Sequence, residues 1–156
     1  MKVPQSILLM DDDRIDALLF RRVLQDLGIP CALIHALNGD EALAYLREEN
    51  DPVVGLIVTD LHTPGMDGFE FLRCLKADAD LQRIPAIVLT GTQERADVTE
   101  AFRLGAVGFM VKPHGKEGLT AMVSKILAYW SLSELPDRQT KSDIADHHGP
   151  ETVSAH

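Results

Sequence analysis

The chain has 156 residues, of which 46% are hydrophobic and 25% are charged, a balance that indicates one globular domain and excludes an intrinsically disordered chain. Its 15 Lys and Arg residues against 24 Asp and Glu residues give a net charge of -9, which argues against nucleic acid as a partner. Two cysteines are too few for a disulfide framework, and no apolar run approaches the roughly 20 residues of a membrane span. We therefore expect a cytoplasmic protein without a membrane partner.

Five short apolar runs alternate with amphipathic stretches along the chain, and this alternation predicts an α/β protein with a parallel sheet. The runs are rich in branched residues and do not alternate with polar ones, as expected for strands that helices cover on both faces. They comprise residues 7–10, 32–34, 53–58, 84–89 and 107–111.

The stretches between the runs carry the usual signals for the start and end of a helix. Asn38 and Asp67 are each followed three residues later by glutamate, the spacing of a capping box, and Asp13 is placed to cap the first helix. Gly28 and Gly105 fall where helices should end. After Pro136 large apolar residues almost disappear, so residues 137–156 are expected to form a disordered tail.

Polar side chains follow four of the predicted strands. Asp11 and Asp12 come directly after the first strand, Asp60 after the third, Thr90 at the end of the fourth and Lys112 after the fifth. In an open parallel sheet, ligands bind at the carboxyl ends of the strands, near the point where the connections change direction. We therefore expect these acids, the hydroxyl and the amine to meet at one edge of the sheet.

The chemistry of this edge points to a divalent cation. Carboxylates of Asp11, Asp12 and Asp60 within about 5 Å of one another would repel by roughly 3 kcal/mol per pair at an effective dielectric constant near 20. Oxygen ligands of this kind suit Mg²⁺, or the similar Mn²⁺. An ionised aspartate can also attack phosphorus directly and form an acyl phosphate, in which case Lys112 and Thr90 would contact the phosphoryl oxygens.

Four motifs resemble the receiver domain of two-component response regulators, the CheY-like family: ILLMDDD, LIVTDLHTPGMDG, IVLTG and GFMVKP. The resemblance spans residues 5–130, which we assign as the receiver domain. It implies a flavodoxin-like fold, with a five-stranded parallel sheet ordered 2-1-3-4-5 and five flanking helices. It also implies that a sensor histidine kinase transfers a phosphoryl group to Asp60.

The resemblance further assigns roles around the metal. It implies that Asp12 and Asp60 bind the ion directly, that Asp11 acts through water, and that the backbone carbonyl of His62 supplies another oxygen. The His62 side chain is expected to face solvent, because the phosphodonor histidine belongs to the kinase. A cis peptide bond between Lys112 and the following proline is implied as well.

The family pattern also implies a conformational switch after phosphorylation. Thr90 is expected to move toward the phosphoryl group and to vacate space that an aromatic residue fills, here Phe109 where tyrosine is more frequent. Phe109 can act as an apolar wedge but has no hydroxyl to offer a partner. The surface that changes should comprise the fourth helix, the fifth strand and the fifth helix.

The C-terminal segment 127–136 resembles the extension of single-domain regulators that are partnered with phytochrome-type sensor histidine kinases. Together with the segment KADADLQRIPAIVLTGT at residues 76–92, this resemblance favours such a kinase upstream. Residues 131–136 are assigned as an apolar arm. We expect a homodimer through the fourth helix, the fifth strand, the fifth helix and the arm. The alternative is that the arm packs back on its own domain. The apolar residues expected at the interface are Leu132 and Leu135 within the arm and, directly before it, Tyr129 and Trp130.

Other functions remain open at this point. The phosphoryl group could end here as in a phosphate sink or move on along a relay, and the chain could be a dimeric scaffold without phosphotransfer. A separate family of aspartate-nucleophile phosphatases needs a second acid two residues after Asp60, where His62 stands. We expect no enzyme activity beyond the chain's own phosphorylation and slow autodephosphorylation.

Overall fold

The computed structural model describes residues 2–48, 51–91 and 94–133. Five strands and five α-helices alternate along the chain, and a short 3-10 turn at Leu81–Arg83 precedes the fourth strand. The tail at 137–156 and the last part of the expected arm, including Leu135, lie outside the described residues. The elements are β1 (Ser6–Met10), α1 (Arg14–Asp26), β2 (Ala32–Ala36), α2 (Gly39–Arg47), β3 (Val54–Thr59), α3 (Gly68–Ala77), β4 (Ala86–Thr90), α4 (Arg95–Arg103), β5 (Gly108–Val111) and α5 (Gly115–Leu132).

The five strands form one parallel sheet in the order β2-β1-β3-β4-β5, which confirms the implied topology. The chain crosses from β1 to β2 on one side and then returns to place β3 on the other side of β1. This reversal creates a crevice at the carboxyl ends of β1 and β3, where a ligand site is expected in such sheets.

Two apolar layers enclose the sheet, and they explain why the strands are apolar throughout. Ile7 and Leu9 of β1 pack into the layer that α1 and α5 cover, whereas Leu8 and Met10 pack into the layer under α2, α3 and α4. All four side chains are buried, since successive residues of a strand point to opposite faces. No helix in the described part of the chain is long and apolar enough to span a membrane.

The helix caps lie where the sequence predicts them. The side chains of Asp13, Asn38 and Asp67 accept hydrogen bonds from backbone N–H groups in the first turns of α1, α2 and α3. Gly28 and Gly105 have positive φ angles of 65° and 99° after α1 and α4, a conformation that glycine adopts at little cost. These local signals therefore mark where three helices begin and where two helices end.

All five strands differ from the predicted runs by one or two residues at one end or both, and two of these differences bear on the site. β4 begins at Ala86, because Pro85 has no N–H group for the ladder and contributes only its carbonyl, which accepts a hydrogen bond from Ile57. β2 continues to Ala36 and thereby includes His35, which the predicted run of 32–34 left outside.

Gly68 allows the start of α3 to approach the backbone of Asp60. A Cβ atom at this position would lie 2.1 Å from the Asp60 carbonyl oxygen, and main chain cannot move aside as a flexible side chain can. We expect Gly68→Ala to lower the free energy of unfolding by about 3 kcal/mol, measured by urea denaturation. Gly91→Ala is the control, because a Cβ there meets nothing within 4 Å. Equal losses in both variants would contradict the role of the close approach.

Candidate functional site

Three carboxylates converge at the carboxyl ends of β1 and β3. Asp11 and Asp12 follow β1, Asp60 follows β3, and one oxygen from each lies within 4.8 Å of the others. Asp11 and Asp60 are buried, whereas Asp12 is exposed. The neighbouring strands hold this arrangement, since the Asp60 N–H donates to the Met10 carbonyl at 2.8 Å. The structure thus brings together the acids that the sequence places at this edge.

Lys112 lies among these carboxylates. Its Nζ is 2.8 Å from Asp11 Oδ2, 3.0 Å from Asp16 Oδ2 and 3.2 Å from Asp60 Oδ2. Burial alone would lower the pKa of Lys112, but the hydrogen bonds to Asp11 and Asp16 outweigh it and raise the pKa above its ordinary value. The side chain is therefore an ammonium group that partly neutralises the cluster.

One ammonium carries a single positive charge and does not balance the three carboxylates of Asp11, Asp12 and Asp60. The pKa of Asp11 is shifted as well. Burial raises this pKa above the ordinary value, although hydrogen bonds from Lys112 and from the Asp13 N–H oppose the rise and the nearby Asp60 adds to it. A divalent cation would offset the remaining negative charge. The carboxylate oxygens fit Mg²⁺ or Mn²⁺, which prefer such ligands.

Hydrogen bonds from the two adjacent residues of the chain orient Asp60. Its Oδ1 accepts a hydrogen bond from the Leu61 N–H at 2.7 Å, and the Thr59 hydroxyl donates to its backbone carbonyl at 2.8 Å. Oδ2 is turned to Lys112. The residue is 8% exposed, so a donor molecule reaches this carboxylate only from the rim of the sheet.

Thr90 and Phe109 lie on the neighbouring strands β4 and β5. Thr90 is buried at the carboxyl end of β4, and its carbonyl accepts a hydrogen bond from the Lys112 N–H at 2.8 Å. Phe109 is half-buried and packs against the core layer under α2, α3 and α4. The coupled movement of the two side chains remains a prediction.

His62 follows Asp60 by two residues, and its side chain is exposed, as expected. Its Nε2 lies 3.5 Å from Asp97 Oδ2 in the first turn of α4, and its ring meets Phe69 edge-on at 6.3 Å between centroids. The loop after β3 is thus in contact with α4, one of the elements expected to change on phosphorylation.

The implied cis bond between Lys112 and Pro113 is wrong for this structure. Among the described residues, only the bond between Asp51 and Pro52 is cis. Lys112 reaches Asp11 and Asp60 although the bond after it is trans. Its N–H is hydrogen-bonded to the end of β4, and its long side chain extends from there to the two carboxylates.

Two residues at the site were missed by the sequence analysis. Asp16, a ligand of the Lys112 ammonium, lies in the first turn of α1, where an acid is usually explained by the helix dipole. His35 in β2 contacts the backbone carbonyl of Asp11 through Nε2 at 2.7 Å. The sequence did offer one signal for His35, which is a lone polar residue directly after the predicted apolar run of 32–34.

The end of α5 differs from the expected arm. Trp130 packs on its own domain, where its Nε1–H donates to the Gly55 carbonyl at 3.2 Å. Its assignment to a projecting dimer arm is therefore wrong, and the alternative, packing on its own domain, holds for this residue. The helix extends to Leu132, past the expected boundary at residue 131. Tyr129 and Leu132 do project, with 70% and 87% of their surfaces exposed.

A 2-1-3-4-5 parallel sheet, with acids after β1 and β3 and a lysine after β5, defines the class of response regulator receivers. Residues 7–124 match the sequence profile of the response regulator receiver domain, and the chain belongs to this family. It is a phosphoacceptor in two-component signalling, and its acidic pocket is of the kind that binds a divalent metal. A receiver domain implies a histidine kinase as partner.

Particular relatives follow from the comparison of sequences and structures. The chain is 35% identical over 131 residues to the response regulator Rcp1 of Synechocystis sp., covering 81% of this chain and 89% of Rcp1. The chemotaxis protein CheY of Pseudomonas aeruginosa is 32% identical over 121 residues, covering 78% and 94%. The phosphorylated cyanobacterial phytochrome response regulator RcpA has a TM-score of 0.77 at 30% identity, covering 85% and 99%. The Mn²⁺-bound form of Rcp1 has a TM-score of 0.75 at 33% identity, covering 86% and 100%.

Proposed function

We propose that this chain receives a phosphoryl group on Asp60, with Mg²⁺ or Mn²⁺ held by Asp11, Asp12 and Asp60 and by the backbone carbonyl of His62. The observation that carries the proposal is the convergence of three carboxylates and the Lys112 ammonium at one rim of the sheet. A single lysine bridging buried acids is the charge arrangement that a transferring phosphoryl group needs, because its oxygens carry negative charge.

The proposed reaction is a direct displacement at phosphorus. An Asp60 carboxylate oxygen forms the new bond to phosphorus while the bond to the histidine nitrogen of the kinase breaks, and that nitrogen keeps the electron pair. Lys112 exchanges its present contact with Asp60 for a phosphoryl oxygen, and the Thr90 hydroxyl donates to another. The divalent cation, when bound, neutralises charge on the phosphoryl oxygens. Autodephosphorylation would use the same groups with water as the attacking molecule.

A phytochrome-type sensor histidine kinase is the upstream partner that we propose. Support comes from the relation to Rcp1 and to RcpA, which is described as a phytochrome response regulator, and from the resemblance of segment 127–136 to such regulators. The protein would act in the cytoplasm and signal through phosphorylation-dependent protein binding, with Thr90 and Phe109 as the switch. A phosphate sink or a relay would use the same Asp60 and differ only in the final acceptor.

Phosphorylation with mapping of the modified residue tests the proposal. The chain is incubated with acetyl phosphate and Mg²⁺, and the acyl phosphate is reduced with borohydride, which converts a phosphorylated aspartate to homoserine. We expect one phosphoryl group per chain and homoserine at position 60. Homoserine at Asp12, or no incorporation in the presence of metal, would contradict the proposed site.

We also propose a homodimer through α4, β5 and α5. Apolar side chains are exposed on all three elements: Phe102, Val111, Tyr129 and Leu132. Exposed apolar groups of this kind mark interaction surfaces when they form a patch, and a self-complementary patch gives a two-fold dimer.

Sedimentation velocity measures the oligomeric state and so tests the proposed dimer. At tens of micromolar the wild-type chain is expected to sediment as a dimer and Leu132→Ser as a monomer, because the substitution places a hydroxyl where an apolar contact is expected. Leu18→Ser is the control, since Leu18 is also exposed, at 62%, but belongs to α1, which is not one of the three elements of the proposed interface. A wild-type monomer, or equal dissociation by both variants, would contradict the interface.

A further inference from the structure

We propose that His35 is a positioning residue for the metal site, because its imidazole holds the backbone of the acidic loop after β1. The inference rests on the proposed roles of Asp11 and Asp12 as metal-binding residues. His35 belongs to the edge strand β2, and its side chain contacts the backbone carbonyl of Asp11.

The geometry of this contact determines the direction of the hydrogen bond. His35 Nε2 lies 2.7 Å from the Asp11 carbonyl oxygen, at the short end of the range for such bonds. A carbonyl oxygen only accepts, so Nε2 must carry the hydrogen and donate it. The contact is partly buried, which limits competition from water.

The bond completes the attachment of Asp11 to its surroundings. The Asp11 N–H donates to the Ala36 carbonyl at 3.0 Å, its Oδ1 accepts from the Asp13 N–H at 2.9 Å, and its Oδ2 contacts Lys112. The carbonyl is the remaining polar group, and His35 satisfies it. Strand β2 therefore holds the Asp11 backbone at both its N–H and its C=O.

This attachment extends to Asp12 through the peptide bond. The Asp11 carbonyl and the Asp12 N–H belong to one planar peptide unit. A hydrogen bond that fixes the carbonyl therefore also fixes the orientation of the peptide plane to which the Asp12 Cα is attached. Asp12 is exposed and has no core packing to hold it. The direction of its carboxylate thus depends on the plane that His35 holds.

Loss of this bond should affect metal binding more than folding. Strand β2 remains paired with β1 at five positions, from Ser6 with Ala32 to Met10 with Ala36. Partners that orient metal-binding groups without binding the metal commonly change affinity by about tenfold or more. We expect about a tenfold loss of affinity for Mn²⁺ when the donor is removed.

Titration of the full-length chain with Mn²⁺, followed by the magnetic resonance signal of the free ion at constant pH, tests the inference. His35→Phe removes the donor, and His35→Asn keeps a polar group that is too short to reach, so one of them serves if the other fails to fold. His35→Gln retains an N–H near the position of Nε2 and should restore affinity to within about threefold of wild type. Acetyl phosphate incorporation at limiting metal should follow the same order, and saturating metal should restore its rate.

Arg21→Met is the matched control. Arg21 of α1 likewise makes a hydrogen bond from its side chain to a backbone carbonyl, since its Nη2 donates to the Leu33 carbonyl of β2 at 3.2 Å. Leu33 pairs with Ile7 of β1, whereas the acids follow Met10 at the end of that strand. Loss of the Arg21 hydrogen bond should leave Mn²⁺ affinity unchanged. Wild-type affinity in His35→Phe and His35→Asn, or an equal loss in His35→Gln or Arg21→Met, would overturn the inference.

The variant Asp12→Asn distinguishes a failure of the inference about His35 from a failure of the proposed metal site. If Asp12→Asn loses metal while the His35 variants bind as wild type does, only the positioning role fails. If wild type does not bind Mn²⁺ saturably, or Asp12→Asn binds it equally well, the proposed metal site fails and the role of His35 with it.

Discussion

Asp60→Asn is expected to abolish phosphorylation by acetyl phosphate in the presence of Mg²⁺. The amide has almost the shape of the carboxylate and can still accept the hydrogen bond that Leu61 donates to Oδ1, so the fold should persist. It carries no negative charge, however, and an amide oxygen is a poor nucleophile toward phosphorus. Intact-mass spectrometry should find one added phosphoryl group on the wild-type chain and none on the variant.

Asp67→Asn is the matched control for this loss. Asp67 caps α3 through the Glu70 N–H, and asparagine is an equally good cap, so this variant should be phosphorylated as wild type is. Incorporation into Asp60→Asn with wild-type stoichiometry would show that another carboxylate accepts the group. The assignment of Asp60 would then be wrong, although the chain would remain a receiver by its sequence and fold.

Lys112→Met should change phosphorylation and metal binding in opposite directions. The rate of phosphorylation by acetyl phosphate is expected to fall by about a hundredfold or more, because a preorganised positive donor to the phosphoryl group is lost. Affinity for Mn²⁺ should rise by roughly tenfold, because the ammonium no longer neutralises Asp11 and Asp60. Rates at saturating metal and Mn²⁺ titrations measure the two effects separately.

The same substitution should destabilise the metal-free protein. Asp11 and Asp60 are buried, and removal of the partner of a buried acid commonly costs about 3 kcal/mol or more. Lys116→Met is the control, since Lys116 pairs with Asp26 on the surface, away from the acids. A decrease of both rate and metal affinity in Lys112→Met would contradict the proposed charge balance and point to a general loss of the fold.

The general architecture could be predicted because each reactive residue lies within two positions of the end of an apolar run. Asp60 and Lys112 are separated by 52 residues, yet the rule that parallel strands end at one edge places them together. The order of the strands came from the family resemblance, because an apolar run carries no information about its neighbour in the sheet. The sheet and the proximity of the acids were therefore accessible from the sequence.

The contacts that were missed depend on tertiary geometry. Lys112 and Asp16 are 96 residues apart, and no local pattern indicates that the first turn of α1 faces the end of β5. The contact of His35 with Asp11 requires the exact extent of β2, which the sequence underestimated by two residues. Trp130 shows the same limit, because an apolar stripe does not reveal whether it meets its own domain or a second copy.

The position of Trp130 also determines which structural changes the intrinsic fluorescence of the protein can report. It is the single tryptophan of the chain, and it lies against Gly55 near the start of β3, whereas Asp60 follows the other end of that strand. Five residues of extended chain separate the two by roughly 16 Å. Intrinsic fluorescence should therefore report on the last turn of α5 and the N-terminal segment, whose Lys2 lies 5.5 Å from the indole centre, and remain nearly silent when a cation enters the acidic pocket.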